Sequence, residues 1–452
     1  MSVKKNVISA EDKLAAALVP AEEQPYQVPE NWCWTTIGNL NAYTSKSVDP
    51  SESPEEIYEL YSVPSSSSNY PEIIVGKEIG STKQSVIKGD VLLCKINPRI
   101  NRVWKVSDFT SHSSIASSEW VIIRNNHLDP DFLMHCFRSP YFREYMLQNV
   151  SGMGGSLMRA QPKYVQTYPV PLSPLPEQRR IVSHIESLFA QLDEAKERAQ
   201  AVIDSYEGRK ASILHRAFTG ELTAQLAQQR VAEWQSVSLK DVVAGFKYGT
   251  SEKSDYANSG LPVLRIPNVG DGIIDFSDIK YLEGDTDTGN YVRENDVLII
   301  RSNGSRDLVG KCAIVPSTEQ QYAYASFLIK IIPSAKVLPD YLVLFLNSAD
   351  ARAQMFAKAK SSAGIHNINS KELGAIQMPL PEAWEQQEIV RIANELIKKE
   401  SAAKAAAEQA IAQIETMKKS ILARAFRGEL GTNDPNDEPA IELLKRSLLA
   451  KA

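Results

Sequence analysis

The sequence predicts an α+β chain in which two pseudo-symmetric mixed α/β globular domains are joined by two long helices forming an antiparallel coiled coil. Three observations carry this expectation. Residues 177–222 recur at residues 385–430, an offset of 208, with 20 identities in 46 positions and no gap, which marks an internal duplication. Both copies place apolar residues at alternating steps of four and three, the seam of a coiled coil. The segments ahead of the two copies keep the same landmarks in the same order while the residues between have diverged.

Taken in order, the boundaries follow from punctuation and periodicity. Residues 1–31 read as a short helix and connector, with Ser9 ahead of Ala10 to Val19, a stop at Pro20 and an acidic stretch ending at Pro29. A first globular domain over 32–170 opens at Trp32, five residues before Ile37. It carries the strand-like run Asp90-Val91-Leu92-Leu93 and a helix start at Pro130-Asp131. A helical spacer follows over 171–223, then a linker over 224–233. A second domain over 234–376 opens the same way, with Trp234 five residues before Leu239, then Asp296-Val297-Leu298-Ile299 and Pro339-Asp340. A second helical spacer covers 377–431 and a C-terminal tail covers 432–452.

The first seam runs Ile181, Ile185, Leu188, Leu192, Ala195, Ala199, Val202, Tyr206, Arg209, Ile213 and Ala217. The second runs Ile389, Ala393, Leu396, Glu400, Ala403, Ala407, Ala410, Ile414, Met417, Ile421 and Ala425. Only Arg209 and Glu400 break the apolar pattern, and mid-seam alanines allow close approach of two helices. Pro176 and Pro381 stand at the starts, and Gly220 and Gly428 where C-terminal caps belong. Each helix of about 44 residues would extend roughly 66 Å. The simplest partner for each seam is the other one, antiparallel; packing on its own domain or on a partner protein is the alternative.

Size and composition suit a soluble globular protein of two or more cores: 452 residues, 43% hydrophobic and 23% charged. Cys33, Cys94, Cys136 and Cys312 are scattered without a C-x-x-C pair or a histidine at ligand spacing, so neither a metal site nor a disulfide framework is signalled. With no secretion signal and no long apolar run in the sequence, the expected location is cytoplasmic, away from any membrane. Phosphate loops, nucleophile elbows and metal-binding helices are missing. So is the Asn/Asp-Pro-Pro-aromatic element of an amino-group methyltransferase, to which Asn97-Pro98-Arg99 is the nearest approach. No catalytic and no metal-binding residues are therefore assigned. The formal net charge of −5 hides two basic stretches, residues 88–105 and 352–371, each with a local net of +4, and such patches are what touch phosphate.

Candidate readers of a nucleic acid lie in loops near the strand ends. In the first domain they are Lys95, Asn97, Arg99, Asn101 and Arg102, with Ser156, Arg159 and Lys163 as a second cluster. In the second they are Arg301, Asn303, Ser305 and Arg306, with His366, Asn367, Asn369 and Lys371, and further Lys247, Tyr248, Thr250, Arg265 and Asn268. Arginine suits a bidentate contact to guanine and asparagine one to adenine. For each residue singly, a solvated loop or a turn-forming asparagine is an equal reading; recurrence at matching places in both halves favours the clusters.

The helix endings Ser-Ile-Leu-x-Arg-Ala-Phe-x-Gly-Glu-Leu at 212–222 and 420–430, the entries Pro174-Leu175-Pro176-Glu177 and Pro379 to Glu382, and the Trp-led domain starts resemble the specificity subunit of type I restriction-modification systems. The resemblance spans nearly the whole chain, strongest in the helices. It implies two target recognition domains that each bind half of a bipartite double-stranded DNA site, with the paired helices setting the gap. It implies two modification (methyltransferase) subunits docked on the chain, and two restriction subunits joining them. It also implies that the chain binds no cofactor, S-adenosylmethionine, ATP and Mg being held by those partners, and that it is not itself an enzyme. A non-catalytic, two-headed protein-binding coiled-coil scaffold is the alternative of a different class; a self-contained methyltransferase is disfavoured by the missing motif.

Overall fold

The computed structural model describes residues 10–148, 150–151, 158–256, 260–282, 289–358, 360–362 and 365–451. The chain forms two compact units, Met1–Arg198 with Ala410–Ala452, and Ala199–Gln409.

In the first unit, helix Ala10–Ala17 ends ahead of Pro20. Strand Cys33–Thr36 pairs antiparallel with Pro169–Leu172, Cys33 opposite Leu172, so the entry and exit of the globular part are tied together. Val91–Cys94 is the middle strand of a three-stranded sheet, between Val103–Lys105 and Trp120–Ile123. All four of its residues are buried because both faces are covered. Val91 and Leu93 face the core of helix Pro130–Arg138, while Leu92 and Cys94 join Tyr61, Trp104 and Trp120, as the two-residue period of a strand requires. The helix starts where Pro130-Asp131 predicts, capped by the Asp129 carboxylate, which accepts from the amides of Asp131 and Phe132.

The second unit repeats the plan. Strand Gln235–Ser238 pairs with Gln377–Leu380. Val297–Ile300 is central in a five-stranded sheet, with Val297 and Ile299 in the core shared with helix Pro339–Leu346, and Leu298 and Ile300 in a separate one. A four-stranded sheet containing Pro262–Leu264 and Ala323–Tyr324 completes it.

The long helices pair antiparallel within each unit. In the first, Ile181 and Ile185 share a core with Leu422, Ala425 and Phe426, and Lys196 meets Glu415 at 2.6 Å. In the second, Leu214, Ala217 and Phe218 share a core with Ile389, and the two residues that break the seam, Arg209 and Glu400, form an ion pair with each other. Both long helices form: the first runs Leu175–Asp204 and Tyr206–Phe218 with a bend at Ser205, across which the Ser205 amide still donates to the Ala201 carbonyl and the Arg209 amide to the Ser205 carbonyl, and the second is continuous over Ala383–Ala425. The Ser205 hydroxyl donates to the Ala201 carbonyl, and such serine back-bonding bends helices.

Of the seam residues, Ile181, Ile185, Ile213, Ile389, Ala407 and Ile414 are buried and Leu188, Leu192, Ala199, Val202, Tyr206, Leu396 and Ile421 half-buried. Ala403 is exposed, as is half of Met417, and Val182, Leu214, Phe218, Leu422 and Phe426 take burial instead. A helix of 3.6 residues per turn drifts away from a strict heptad, so the apolar stripe moves sideways along its length.

The repeated sequence words prove to be joints. Glu177 and Glu385, 208 residues apart, are both fully buried. Glu177 accepts from Arg180, the Thr432 hydroxyl and the Asn433 amide; Glu385 accepts from the Thr223 hydroxyl, Arg230 and the Trp234 indole. The next residue repeats too. The Gln178 side-chain oxygen accepts from the Asp129 amide and that of Gln386 from the Leu338 amide, each just ahead of a domain helix. Phe426 packs edge-on against Phe132, and Phe218 against Tyr341. Gly220 and Gly428 close the helices at φ +82° and +79°, and at Gly428 a Cβ would collide with the Pro29 ring. Residues 432–452, expected as a tail, contain helix Ala440–Leu449, whose Ala440, Leu443 and Leu444 enter the same core as Ala17, Ile37 and Leu40. Its apolar positions at steps of three and one make it amphipathic.

Candidate nucleic-acid interface

Both units build their candidate loop on the same backbone junction. A buried aspartate opens each central strand: Asp90 accepts from the Ile87 amide and bidentately from Arg124, and Asp296 accepts from the Arg293 amide and pairs with Lys330 at 3.1 Å. Five residues on, the strand ends at a basic residue. The Lys95 amide donates to the Glu119 carbonyl and its own carbonyl accepts from the Ala160 amide. Likewise the Arg301 amide donates to the Phe327 carbonyl and its carbonyl accepts from the Ile368 amide. The segments that dock there are the second strands of short ladders, Val150–Ser151 with Arg159–Ala160, and Lys360–Ser362 with Ile365–Asn367. Each leads into a short helix, Pro162–Val165 or Ser370–Gly374.

The structure therefore brings together the two clusters expected in the first domain. The Asn97 amide donates to the Met158 carbonyl at 2.7 Å. Asn97 and Asn101 stand at φ +47° and +51° on either side of a single turn, Pro98–Ile100, and the Asn101 amide group donates to the Arg138 carbonyl, so both asparagines shape the loop. Arg99 is exposed, and Lys95 and Arg102 half-exposed. Arg159 is held by Glu119 in a two-pronged pair at 3.2 and 3.3 Å, and the Lys163 ammonium lies 4.7 Å over the Tyr164 ring. Ser156 lies outside the described residues.

In the second unit, Arg301 stacks 4.8 Å over the Tyr248 ring and donates to the Asn367 side-chain oxygen at 3.3 Å. Ser302 and Asn303 pair with Asn367 and His366 as a ladder, and the Tyr248 hydroxyl accepts from the Ser370 amide. Tyr248, Arg301, Asn303, His366 and Asn367 thus form one group, beside which Phe327 is 56% exposed. Ser305 and Arg306 are exposed at the loop's far end, with Arg306 over Phe356 at 4.6 Å. Lys371 and Lys247 are exposed nearby in sequence. Asn369 caps the short helix, accepting from the Lys371 and Glu372 amides, and the Thr250 hydroxyl accepts from the Glu252 amide. Arg265 and Asn268 belong elsewhere. Asn268 is buried and donates to the Asp275 and Asp278 carbonyls, and Arg265 pairs with Asp278 at 3.0 Å.

The backbone junction equates Lys95 with Arg301, the first residues of the two loop stretches that follow the Asp-Val-Leu strands at 90 and 296. Glu119 and Phe327, which receive the junction amides, were missed because they lie far off in sequence in divergent stretches. Among the described residues no cluster of His, Cys, Asp and Glu could hold a metal ion, and no helix is long and apolar enough to cross a membrane.

Residues 232–413 match the family model of the type I restriction modification DNA specificity domain. Over residues 232–413 the chain carries this DNA specificity domain, and the relatives it matches are specificity subunits of type I restriction enzymes. It is 28% identical over 304 residues to the type I restriction enzyme EcoKI specificity subunit of Escherichia coli K12, a match covering 66% of this chain and 65% of that one. Against the StySPI specificity subunit of Salmonella potsdam it is 25% identical over 327 residues, covering 72% and 70%. The chain thus spans about two thirds of the length of these relatives. A chain solved in work on complex assembly and conformational transition of the type I R-M system shares the fold at a TM-score of 0.70 and 23% identity, over 90% of this chain and all of that one.

Proposed function

We propose that this chain selects the DNA target of a type I restriction-modification complex, with residues 32–170 and 234–376 as its two target recognition domains. Each domain reads one half of a bipartite duplex site through its junction loop and docked ladder. The matched placement of Lys95 and Arg301, one backbone junction carrying two different sets of neighbours, supports this reading most directly. A shared scaffold with different side chains is what two different half-sites require. The Lys95 site adds a glutamate-bound arginine, the Arg301 site an aromatic stack and an asparagine. Arginine and lysine offer donors to guanine, and asparagine offers both a donor and an acceptor to adenine.

The paired helices set the gap between half-sites, and two modification subunits that hold S-adenosylmethionine dock on the chain and methylate adenine. Restriction subunits using ATP and Mg join them, and catalysis lies in these partners. A gel-shift competition with the modification partner tests the reading: it expects one bipartite duplex to be preferred, with a steep loss of affinity as salt rises. Equal binding of all duplexes would refute it. Methylome sequencing of cells carrying the chain with that partner would then return the two half-sites and their gap together.

A further inference from the structure

The helix that precedes each docked ladder carries an arginine that the reading loops depend on. In the first unit it is Arg143 of helix Pro140–Gln148, whose guanidinium donates to the Arg99 carbonyl in the turn after Lys95. In the second it is Arg352 of helix Ala349–Lys358, which donates to the Asp307 carbonyl at 2.6 Å, in the loop after Arg301. The positions are structurally equivalent. The Arg143 amide donates to the Ser139 carbonyl and the Arg352 amide to the Ser348 carbonyl, and both serines are buried and accept from an amide three residues on. Their local sequences, Ser-Pro-Tyr-Phe-Arg and Ser-Ala-Asp-Ala-Arg, otherwise differ.

Each guanidinium has five N–H donors in a fixed fork, and the loop carbonyl takes only part of that capacity. Neither arginine forms an ion pair among the described residues. In the second unit the charge is concentrated further: Arg306 and Arg352 lie 4.6 and 5.2 Å from the centre of the same Phe356 ring. Burial pulls the Arg352 guanidinium below its ordinary value despite the opposing charges of Asp307 and Asp271. The exposed Arg306 and the partly buried Arg352 thus place two positive charges on one ring, with N–H donors left for an anion.

We infer that Arg143 and Arg352 are the phosphate anchors of the two reading loops, each holding its loop by a backbone carbonyl and offering its remaining N–H groups to a DNA phosphate. This rests on the DNA-reading function proposed above. An anchor of this kind ties the loop to the DNA backbone, so that the base-reading side chain meets its base in register. Both arginines are positioning residues; neither is expected to read a base.

The test uses the full chain with its modification partner and synthetic duplexes carrying the methylome-defined site, mutated in one half-site at a time. Arg143→Ala and Arg352→Ala should each flatten the dependence of log affinity on log salt by about 0.9, so that the loss between about 50 and 200 mM salt becomes roughly threefold smaller, alike on matched and mismatched duplexes. Arg143→Lys and Arg352→Lys keep the charge and should retain the slope. A lysine cannot hold the carbonyl and the phosphate in one fork, so these variants should lose base preference only in the half-site of their own unit. The other half-site reports that the variant is folded. Unchanged slopes in both alanine variants, or slopes reduced equally by lysine and alanine, would overturn the inference. Wild-type complex that binds every duplex equally would instead overturn the function on which it rests.

Discussion

Removing the Glu385 carboxylate should unfasten the second unit far more than removing its repeat partner Glu177 harms the first. Glu385→Ala leaves three donors without their acceptor: the buried Thr223 hydroxyl at 2.6 Å, the Trp234 indole at 2.8 Å, and Arg230, whose shortest bond is 2.7 Å. Breaking a buried ion pair from one side costs about 3–5 kcal/mol. The Arg230 side chain is 20% exposed and stacks on Trp234, which lets water take up part of its charge, so the lower end, about 3 kcal/mol, is expected. Glu177→Ala differs because Arg180 keeps a second partner in Asp437, and Thr432 is exposed. Its cost is about 1–2 kcal/mol, that of a lost hydrogen-bonded acceptor.

For a unit of roughly 200 residues, about 2–4 °C is lost per kcal/mol, so Glu385→Ala should lower its melting temperature by about 6–12 °C. Hydrogen exchange on the full chain separates the units, with amides of 221–234 losing protection in Glu385→Ala and those of 429–437 in Glu177→Ala. The pH profile adds an independent check. Burial pushes the Glu385 carboxyl up, but hydrogen bonds from Arg230, Thr223 and Trp234 outweigh it, leaving it below its ordinary 4.5. A folded value below the unfolded one contributes stability that is complete above about 4.5 and lost as pH falls through the lowered value. That acid limb should vanish in Glu385→Ala. Equal costs for the two variants, or a cost under about 1 kcal/mol for Glu385→Ala, would refute the view that the repeated glutamates are buried fasteners.

Other outcomes follow from particular side chains. His135 is buried without a partner on either ring nitrogen among the described residues, and burial, aided by Arg138, pulls its pKa from 6.5 to about 4. The unfolded chain then binds the extra proton between those values, so the first unit should lose roughly 3 kcal/mol as pH falls from 6.5 to 4. His135→Leu should flatten this limb in urea titrations at several pH values. Arg209→Ala or Glu400→Ala alone should cost about 1 kcal/mol or less because the pair is one-third exposed. Replacing both with leucine should be neutral or stabilising, read by a double-mutant cycle in thermal melts. Arg301→Ala should relax base choice only in the half-site of its own unit, by about 1–3 kcal/mol in gel-shift competition, and Lys95→Ala only in the other. Uniform weakening on all sequences would mark a phosphate contact instead.

Periodicity and repetition made the framework legible, because both arise from local rules that a sequence states outright. The helix starts at Pro130 and Pro339, the buried strands at Val91 and Val297 and the closing glycines all stand where their patterns put them. What the sequence hid depends on distant partners. The bend at Ser205 falls on no proline or glycine that would announce it; there the hydroxyl shares the Ala201 carbonyl with the Ser205 amide. Helix Ala440–Leu449 could be read as amphipathic but not as part of a core with residues more than 400 positions earlier. In the site, residue type suggested asparagines as readers, yet Asn97, Asn101, Asn268 and Asn369 are occupied by turns, caps and buried bonds. Asparagine serves loop geometry as readily as base recognition, and only the backbone distinguishes the two.

The words kept by the repeat and the residues proposed to read DNA are thus different ones, for a physical reason. Glu177 and Glu385, Gln178 and Gln386, Phe218 and Phe426 are each buried against groups whose positions they determine. A change in any of them strands a buried polar group or opens a cavity, and duplication leaves them alike. Lys95 and Arg301 are bound to the scaffold at their junction by the same backbone amide and carbonyl bonds, to which Arg301 adds a side-chain bond to Asn367. Because the amide and carbonyl hold the loop there, the side chain is free to change without loss of the joint. Lysine beside a glutamate–arginine pair in one unit and arginine on a tyrosine in the other are two outcomes of that freedom. A grafting experiment follows: exchanging 95–102 with its docked 158–163 for the corresponding segments of a relative should transfer half-site preference while leaving the melting temperature of the first unit within about 2–4 °C, the scale of 1 kcal/mol. A collapse in stability with no transfer of preference would show that recognition and joint are not separable.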